Sequence, residues 1–196
     1  MATLPMANFN VQAAVGDMWM ALGLVWLVGL AFTKRTVRSQ AVGSRLFHML
    51  VIVLAFTLLC GQQLRAGWLG ERFLPPSQAA DFAGVTITLL GCLFAIWARV
   101  KLGGNWSGRA TVKAGHELVT TGPYSVARHP IYTGLLIAGA GTAIAYGEAR
   151  CLLGLVLLFL GFAAKIAQEE RLMVETFPEA YRAYRQRVKA LIPGVF

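Results

Sequence analysis

Five apolar segments dominate the chain and limit the folds that are open to it. They cover approximately residues 11–33, 46–64, 82–100, 131–146 and 151–167. A helix needs about 20 mostly apolar residues to cross a bilayer, and the first three segments reach that length. The last two are shorter and are separated only by residues 147–150, so they predict a helical hairpin that crosses and returns. The pattern predicts an all-α integral membrane protein with about five transmembrane helices.

Composition supports the membrane class. The chain is 57% hydrophobic and 14% charged, whereas soluble domains carry about 25% charged residues. Long apolar stretches interrupt the basic residues behind the net charge of +9, which favours membrane lipids over nucleic acid as partners. The N-terminus lacks the features of a signal peptide, so we expect the first segment to remain in the mature protein. We expect residues 1–196 to form a single domain.

The basic residues predict the orientation in the membrane. The first linker contains Lys34, Arg35, Arg38 and Arg45; the segment 99–128 contains Arg99, Lys101, Arg109, Lys113 and Arg128; the region from residue 165 onward contains Lys165, Arg171, Arg182, Arg185, Arg187 and Lys189. With five spans, these 15 of the 18 basic residues share one side, and Arg65, Arg72 and Arg150 lie on the other. The positive-inside rule then predicts a cytoplasmic C-terminus, an external N-terminus and location in an inner or cell membrane.

Two regions are too polar to be spans, residues 101–129 and the tail from 168 to 196. Apolar residues recur in the tail at helical intervals among cations, which predicts an amphipathic helix at a membrane surface, broken at Pro178. In the first region, Gly122 and Pro123 predict a turn. Pro130 suits the first turn of a helix, and His129 then lies at or before its N-cap. Free N–H groups at such a helix start, with Arg128 beside them, favour anionic groups.

Further polar residues lie at the end of the last apolar segment. Lys165 and Glu169 share one helix face at a spacing of four residues, as an ion pair would. Lys165 also lies within the apolar run, where a charge is costly and suggests function. The three cysteines lie in or beside apolar runs and are expected to act as small buried hydrophobes. The spacing of histidines and cysteines predicts no metal site.

The order of these motifs resembles the isoprenylcysteine carboxyl methyltransferase family, which is related to membrane phospholipid N-methyltransferases. The resemblance is carried by "HELVTTGPYSVARHPIYTG", an apolar hairpin and then "QEERLMVETFPEAYRAYRQRVKALIP". It covers about residues 104–193. It implies that residues 101–196 form the cofactor-binding half of a transmembrane methyltransferase domain and that residues 1–100 provide variable N-terminal spans.

The resemblance also implies site residues. In that family the C-terminal half binds S-adenosylmethionine at the cytoplasmic face. The residues that occupy the family's cofactor-binding positions here are His116, Glu117, Leu118, Val119, Tyr124, His129, Pro130, Ile131, Tyr132 and Glu169. Tyrosine rings can pack beside the cofactor's rings and sulfonium, and Glu169 can accept from its ammonium or hydroxyls.

Lys165 marks a departure from the family pattern. It occupies the position of a substrate-contacting arginine, and lysine lacks the two-pronged grip of arginine on a carboxylate. The resemblance implies a lipophilic small-molecule or lipidated acceptor that enters from the bilayer, with carboxyl O-methylation of the isoprenylcysteine type as the expected reaction. Phospholipid or amine N-methylation and thiol S-methylation remain alternatives, as does a non-catalytic lipid-binding or scaffold protein. A carboxylate or thiolate acceptor needs no general base. An amine acceptor would need to be deprotonated, and Glu170 or His116 would then be the candidates for the general base. No nucleophile on the protein is nominated.

Overall fold

The computed structural model describes residues 10–33, 36–39, 42–106, 111–113 and 118–192. Helices make up most of it: α1 (Val11–Leu30), α2 (Val42–Cys60), α3 (Gln78–Leu102), α4 (Pro130–Tyr146), α5 (Ala149–Thr176) and α6 (Pro178–Arg187). Two short antiparallel strands, β1 (Thr36–Ser39) and β2 (Thr111–Lys113), pair with Thr36 opposite Lys113. The predicted all-α membrane fold is confirmed, with this small sheet added.

Small residues bring α3 and α4 into close contact. A Cβ placed on Gly134 would lie 2.6 Å from the backbone nitrogen of Ala95, and one on Gly141 would lie 2.7 Å from Oγ1 of Thr88. Close backbone approach through glycine is a common way to pack helices in membranes. Thr142 donates to the carbonyl of Ala138 and accepts from the indole Nε1 of Trp19, at 2.9 and 3.1 Å, which ties α1 to the same pair.

The helices α1 to α5 alternate in direction between two ends of the bundle. At one end β1, which joins α1 to α2, pairs with β2, which joins α3 to α4; we call this the tail end, because α6 lies there. At the other end the loop between α2 and α3 meets the α4–α5 turn, where the N–H of Phe73 donates to the carbonyl of Gly147 at 2.8 Å; we call this the turn end. The described parts of the three basic regions therefore gather at the tail end.

Two buried arginines bind the carbonyl groups at helix ends. Arg150, fully buried at the turn end, donates to the carbonyls of Leu58 and Leu59 in the last turn of α2 and to Glu148 at 2.6 Å. Glu148 also pairs with Arg65 at 2.7 Å. At the tail end Arg99 donates to the carbonyl of Gly29, at the end of α1, at 2.7 Å. Carbonyls at helix C-termini have no partner within the helix, so these side chains join neighbouring helices by satisfying them.

Three helices are long and apolar enough to cross a membrane, namely α1, α3 and α5. Two shorter apolar helices, Leu46–Cys60 and Pro130–Tyr146, fall below that length. The number of five crossings therefore stays a prediction, although the alternating direction of the helices agrees with it.

Two expectations about the C-terminal region need correction. The last apolar helix does not end near residue 167 but continues to Thr176, because Glu169 and Glu170 find partners within the protein. The break at Pro178 is confirmed, since α6 begins there. The apolar face of α6 packs on the protein rather than on lipid, because Tyr181 and Tyr184 are each 3% exposed; the location of α6 at a membrane surface stays a prediction.

Candidate active site

The start of α4 meets the end of the long helix α5 at the tail end. The predicted turn at Gly122 is present, with a positive φ of 64° that glycine adopts readily. His129 is the N-cap of α4 and Pro130 follows it in the first turn, as predicted. Residues on either side of the hairpin sequence, 129 and 169, thereby become neighbours.

Glu169 has polar neighbours on three sides. The hydroxyl of Tyr132 donates to its Oε1 at 2.8 Å. Nζ of Lys165 lies 3.9 Å from the same oxygen, which confirms the predicted ion pair, and Nδ1 of His129 lies 3.6 Å from Oε2. The Glu169 side chain remains 19% exposed, so this carboxylate is held in place and still reachable.

Glu170 is bound by a different set of cations. Arg128 donates to its Oε1 through Nε at 2.9 Å and through Nη2 at 2.5 Å. Nε2 of His129 lies 3.4 Å from Oε1, and Nε of Arg185, from α6, lies 3.3 Å from Oε2. Arg128 and Arg185 thus fix Glu170, and Glu170 in turn fixes one side of the His129 ring.

The two carboxylates raise the pKa of His129. Burial of the imidazole favours its neutral form, but hydrogen bonds to and charge attraction by Glu169 and Glu170 outweigh burial. The pKa of His129 therefore lies above its ordinary value near 6.5. A protonated His129 can contact both carboxylates at once, which suits a ring that lies between them.

An aromatic stack supports the same cluster. The rings of Tyr132 and Phe162 stack with centroids 4.7 Å apart, and those of His129 and Tyr132 stack at 5.8 Å. Nζ of Lys165 lies 5.5 Å from the centroid of Tyr132. The stack fixes the ring of Tyr132, and with it the hydroxyl that binds Glu169.

The C-terminal tail covers the start of α4 through main-chain hydrogen bonds. The N–H of Arg128 donates to the carbonyl of Lys189 at 2.8 Å, and that of His129 to the carbonyl of Ala190 at 2.9 Å. Oγ1 of Thr133 donates to the carbonyl of Leu191 at 2.8 Å. The tail therefore binds the N–H groups of the N-cap His129 and of Arg128 before it; an anionic ligand at the helix start stays a prediction.

The remaining predicted residues lie around this cluster or outside the described residues. Tyr124 is 6% exposed; its hydroxyl lies 3.4 Å from the carbonyl of Ala98, and its own carbonyl accepts from the hydroxyl of Tyr184. Leu118 is partly buried, Val119 packs against the core, and Pro130 and Ile131 are buried. His116 and Glu117 lie outside the described residues. Contact of these residues with a cofactor stays a prediction.

A cleft of about 580 Å³ opens between α5 and α6, a volume that suits a small molecule. It is lined by Ala167, Glu170, Arg171, Val174, Glu175 and Arg185. The cleft shares Glu170 with the cluster described above, and its lining contains none of the predicted cofactor-binding residues. Among the described residues, no group of three or more His, Cys, Asp or Glu side chains could hold a metal ion.

Phe162, Arg185 and the carbonyls of the tail were missed by the sequence analysis. Phe162 could have been found, because it precedes Glu169 by seven residues and therefore lies on the same helix face as Glu169. The tail contacts could not, because main-chain donors and acceptors carry no sequence signal.

A family model matches residues 84–175 of the chain, and it is that of the isoprenylcysteine carboxyl methyltransferase (ICMT) family. The predicted resemblance is confirmed. The matched range includes most of α3, all of α4 and nearly all of α5. It therefore contains His129, Tyr132, Lys165, Glu169 and Glu170.

Curated relatives include two kinds of protein. The chain is 30% identical to protein-S-isoprenylcysteine O-methyltransferase B of Arabidopsis thaliana over 115 residues, which are 57% of this chain and 58% of the relative. It is 31% identical to the nickel-cobalt-cadmium resistance protein NccN of Alcaligenes xylosoxydans xylosoxydans over 153 residues, 76% of this chain and 63% of that one. The chain thus spans about three fifths of the length of each of these two relatives.

A solved structure shares the fold. It is the structure of the eukaryotic intramembrane Ras methyltransferase ICMT without a monobody, with a TM-score of 0.60 and 19% sequence identity. The match covers 96% of this chain and 69% of the other. Agreement over nearly the whole chain confirms the all-helical membrane fold, including the N-terminal helices outside the family model.

Proposed function

We propose that the chain is an integral membrane methyltransferase that uses S-adenosylmethionine and acts on a lipophilic acceptor, as a carboxyl O-methyltransferase of the isoprenylcysteine type. The observation that carries this proposal is the meeting of His129 and Tyr132, at the start of α4, with Glu169 on α5. This places ordered polar groups at the tail end of an otherwise apolar bundle. A polar cofactor and a lipid-soluble acceptor can approach each other at such a boundary.

The charge and hydrogen-bonding capacity of the cluster fit the proposed cofactor. A carboxylate offers about four lone-pair positions, and Glu169 already accepts one close hydrogen bond, from Tyr132 at 2.8 Å. Its remaining capacity suits the ammonium or the ribose hydroxyls of S-adenosylmethionine. Lys165, whose side chain is 20% exposed, offers a positive charge one helical turn earlier.

Bound S-adenosylmethionine supplies an electrophilic methyl group on a positively charged sulfur. The residues of the chain then need to bind, orient and exclude water rather than form a covalent bond. An acceptor carboxylate is ionised at neutral pH and needs no base, so no residue of the cluster has to remove its proton. Lys165 would neutralise the acceptor charge, and Glu169 would orient the cofactor.

The arrangement of helices supports a sidedness. The basic residues at the tail end favour its location on the cytoplasmic side of an inner or cell membrane, where S-adenosylmethionine is available. The acceptor would reach the cluster from the bilayer, between apolar helices.

The test is a methyl-transfer assay on the purified protein in lipid nanodiscs. It uses S-adenosylmethionine with a labelled methyl group and a panel of prenylated cysteines, fatty acids, lipid amines and lipophilic thiols, followed by identification of the labelled product. The proposal predicts a labelled methyl ester of a lipophilic carboxylate. A labelled amine or thioether would show that the protein is a methyltransferase but that its acceptor is not a carboxylate. Binding of the cofactor without transfer to any acceptor would contradict the proposal that the protein is an enzyme.

A further inference from the structure

The helix α6 packs on the protein through its tyrosines and carries exposed arginines. Tyr181 and Tyr184 turn inward, and the hydroxyl of Tyr184 donates to the carbonyl of Tyr124. Arg182 and Arg187, on the same helix, are exposed. The third arginine of α6, Arg185, reaches back to Glu170.

The segment that follows α6 extends the same surface. Lys189 is exposed, and Ile192, three residues later, is 50% exposed. Val126, in the loop that pairs with this segment, is 43% exposed. Between residues 178 and 192 the sequence holds three arginines and one lysine but a single acid, Glu179. Cations beside isolated aliphatic side chains are typical of a surface that lies at the headgroup level of a bilayer.

The position of α6 fits such a level. Phe177 alone separates it from α5, which is long and apolar enough to span. Residues 128 and 129, at the start of the apolar helix α4, are hydrogen-bonded to residues 189 and 190. The cationic surface therefore lies where the apolar part of the bundle ends.

We propose that Arg182, Arg187 and Lys189 bind anionic phospholipid headgroups of the surrounding bilayer, and that this contact holds the tail over the start of α4. Each of these three side chains is exposed and lies outside the cluster around Glu169 and Glu170. Attraction between basic residues and an anionic leaflet is electrostatic and weakens with salt. The inference rests on the membrane fold and is independent of methyl transfer.

Lipid binding can affect the candidate site, because the tail contacts residues of that site. Arg185, on the same helix, contacts Glu170, and Arg128 donates to the carbonyl of Val188. Anionic lipid thus stabilises the segment that supplies partners to Glu170 and to the N–H groups of residues 128 and 129. Loss of the lipid contact loosens this cover without changing any residue that touches Glu169.

The test is amide hydrogen exchange of α6 without cofactor or acceptor, in nanodiscs of neutral phosphatidylcholine and in nanodiscs that contain about a third phosphatidylglycerol. Anionic discs should slow the exchange of α6 amides by roughly threefold or more, and high salt should remove the difference. The variant Arg182→Gln/Arg187→Gln/Lys189→Gln should exchange at the neutral-disc rate in both. The charge-conserving control, Arg182→Lys/Arg187→Lys/Lys189→Arg, should keep the effect.

Equal exchange of α6 in both discs would overturn the proposal, as would undiminished protection in the glutamine variant. Amides of α3 and α4 report separately whether each variant is folded. If polyglutamate slows α6 exchange in neutral discs while anionic lipid has no effect, the surface binds an acidic polypeptide instead, and the proposal is wrong.

Discussion

Glu169 and Glu170 are adjacent in sequence but have different environments. Glu169 faces Tyr132 and Lys165, whereas Glu170 faces Arg128 and Arg185. His129 lies between them and contacts both. This division suits Glu169 for a ligand and Glu170 for a structural role, because only Glu170 is tied to the tail.

The protonation of His129 gives a pH-dependent contribution to stability. A pKa that is raised in the folded state stabilises the fold fully below the ordinary value near 6.5, and this stabilisation is lost as pH rises through the raised pKa. In detergent, the melting temperature of the protein should therefore fall between mildly acidic and alkaline pH, and it should fall less for His129→Gln. His48→Gln, a histidine of α2 outside the cluster, serves as the control. The same pH dependence in wild type and His129→Gln would show that His129 does not bridge the glutamates.

Lys165 tests the class of acceptor. If the acceptor is an anion, Lys165→Met should reduce turnover strongly because the countercharge is lost, and Lys165→Arg should retain activity. The affinity for S-adenosylmethionine should change by less than about fivefold, since a partly exposed ion pair such as Lys165–Glu169 contributes at most about 1 kcal/mol. Steady-state kinetics and cofactor titration of both variants measure the two effects. Full activity of Lys165→Met on an anionic acceptor would remove Lys165 from the acceptor site.

Among the elements, the pair α3 and α4 positions the site, because His129 is the N-cap of α4. Their backbones approach each other at glycines such as Gly91 and Gly134, which leaves no room for a side chain. Any widening of this contact would move the start of α4 relative to α5.

Gly134→Ala should destabilise the protein by about 1–3 kcal/mol, the usual cost of forcing extra volume into a packed interior. The added Cβ would lie 2.6 Å from the backbone nitrogen of Ala95. Gly16→Ala on α1 is the matched control, because apart from the helix's own nearby backbone no described atom lies within 4 Å of its added Cβ. Thermal unfolding in detergent should lower the melting temperature of the first variant only. Equal melting temperatures for both variants would contradict the close approach of α3 and α4.

At the scale of the whole molecule, the apolar pattern predicted the apolar helices and the hairpin. That His129 and Glu169 belong to one site was implied by the family resemblance, and the hairpin brings the two residues together. The lengthening of α5 to Thr176 was not predicted, since polar residues such as Glu169 ordinarily end an apolar run. The inward packing of Tyr181 and Tyr184 was also missed, because an amphipathic pattern does not say whether its apolar face meets lipid or protein. The division into residues 1–100 and 101–196 stays a prediction.

A topology of five crossings with a cytoplasmic C-terminus predicts which introduced cysteines an impermeant thiol reagent can label from outside. In a variant without the native cysteines, Trp68→Cys at the turn end should react with an impermeant thiol reagent added outside. Lys101→Cys at the tail end should react only after the membrane is opened. Both original side chains are exposed, which permits access. Labelling of both positions from the outside would exclude this topology.

The central claim is that the cluster of His129, Tyr132 and Glu169 binds S-adenosylmethionine, and calorimetric titration of the purified protein tests it most directly. We predict that the wild type binds the cofactor and that His129→Ala and Glu169→Ala each weaken binding by about 1–3 kcal/mol, the cost of losing a partner to a buried polar or charged group. Glu179→Ala, an exposed glutamate at the start of α6, should bind as the wild type does. Wild-type protein that does not bind S-adenosylmethionine, or unchanged affinity in both cluster variants, would contradict the account.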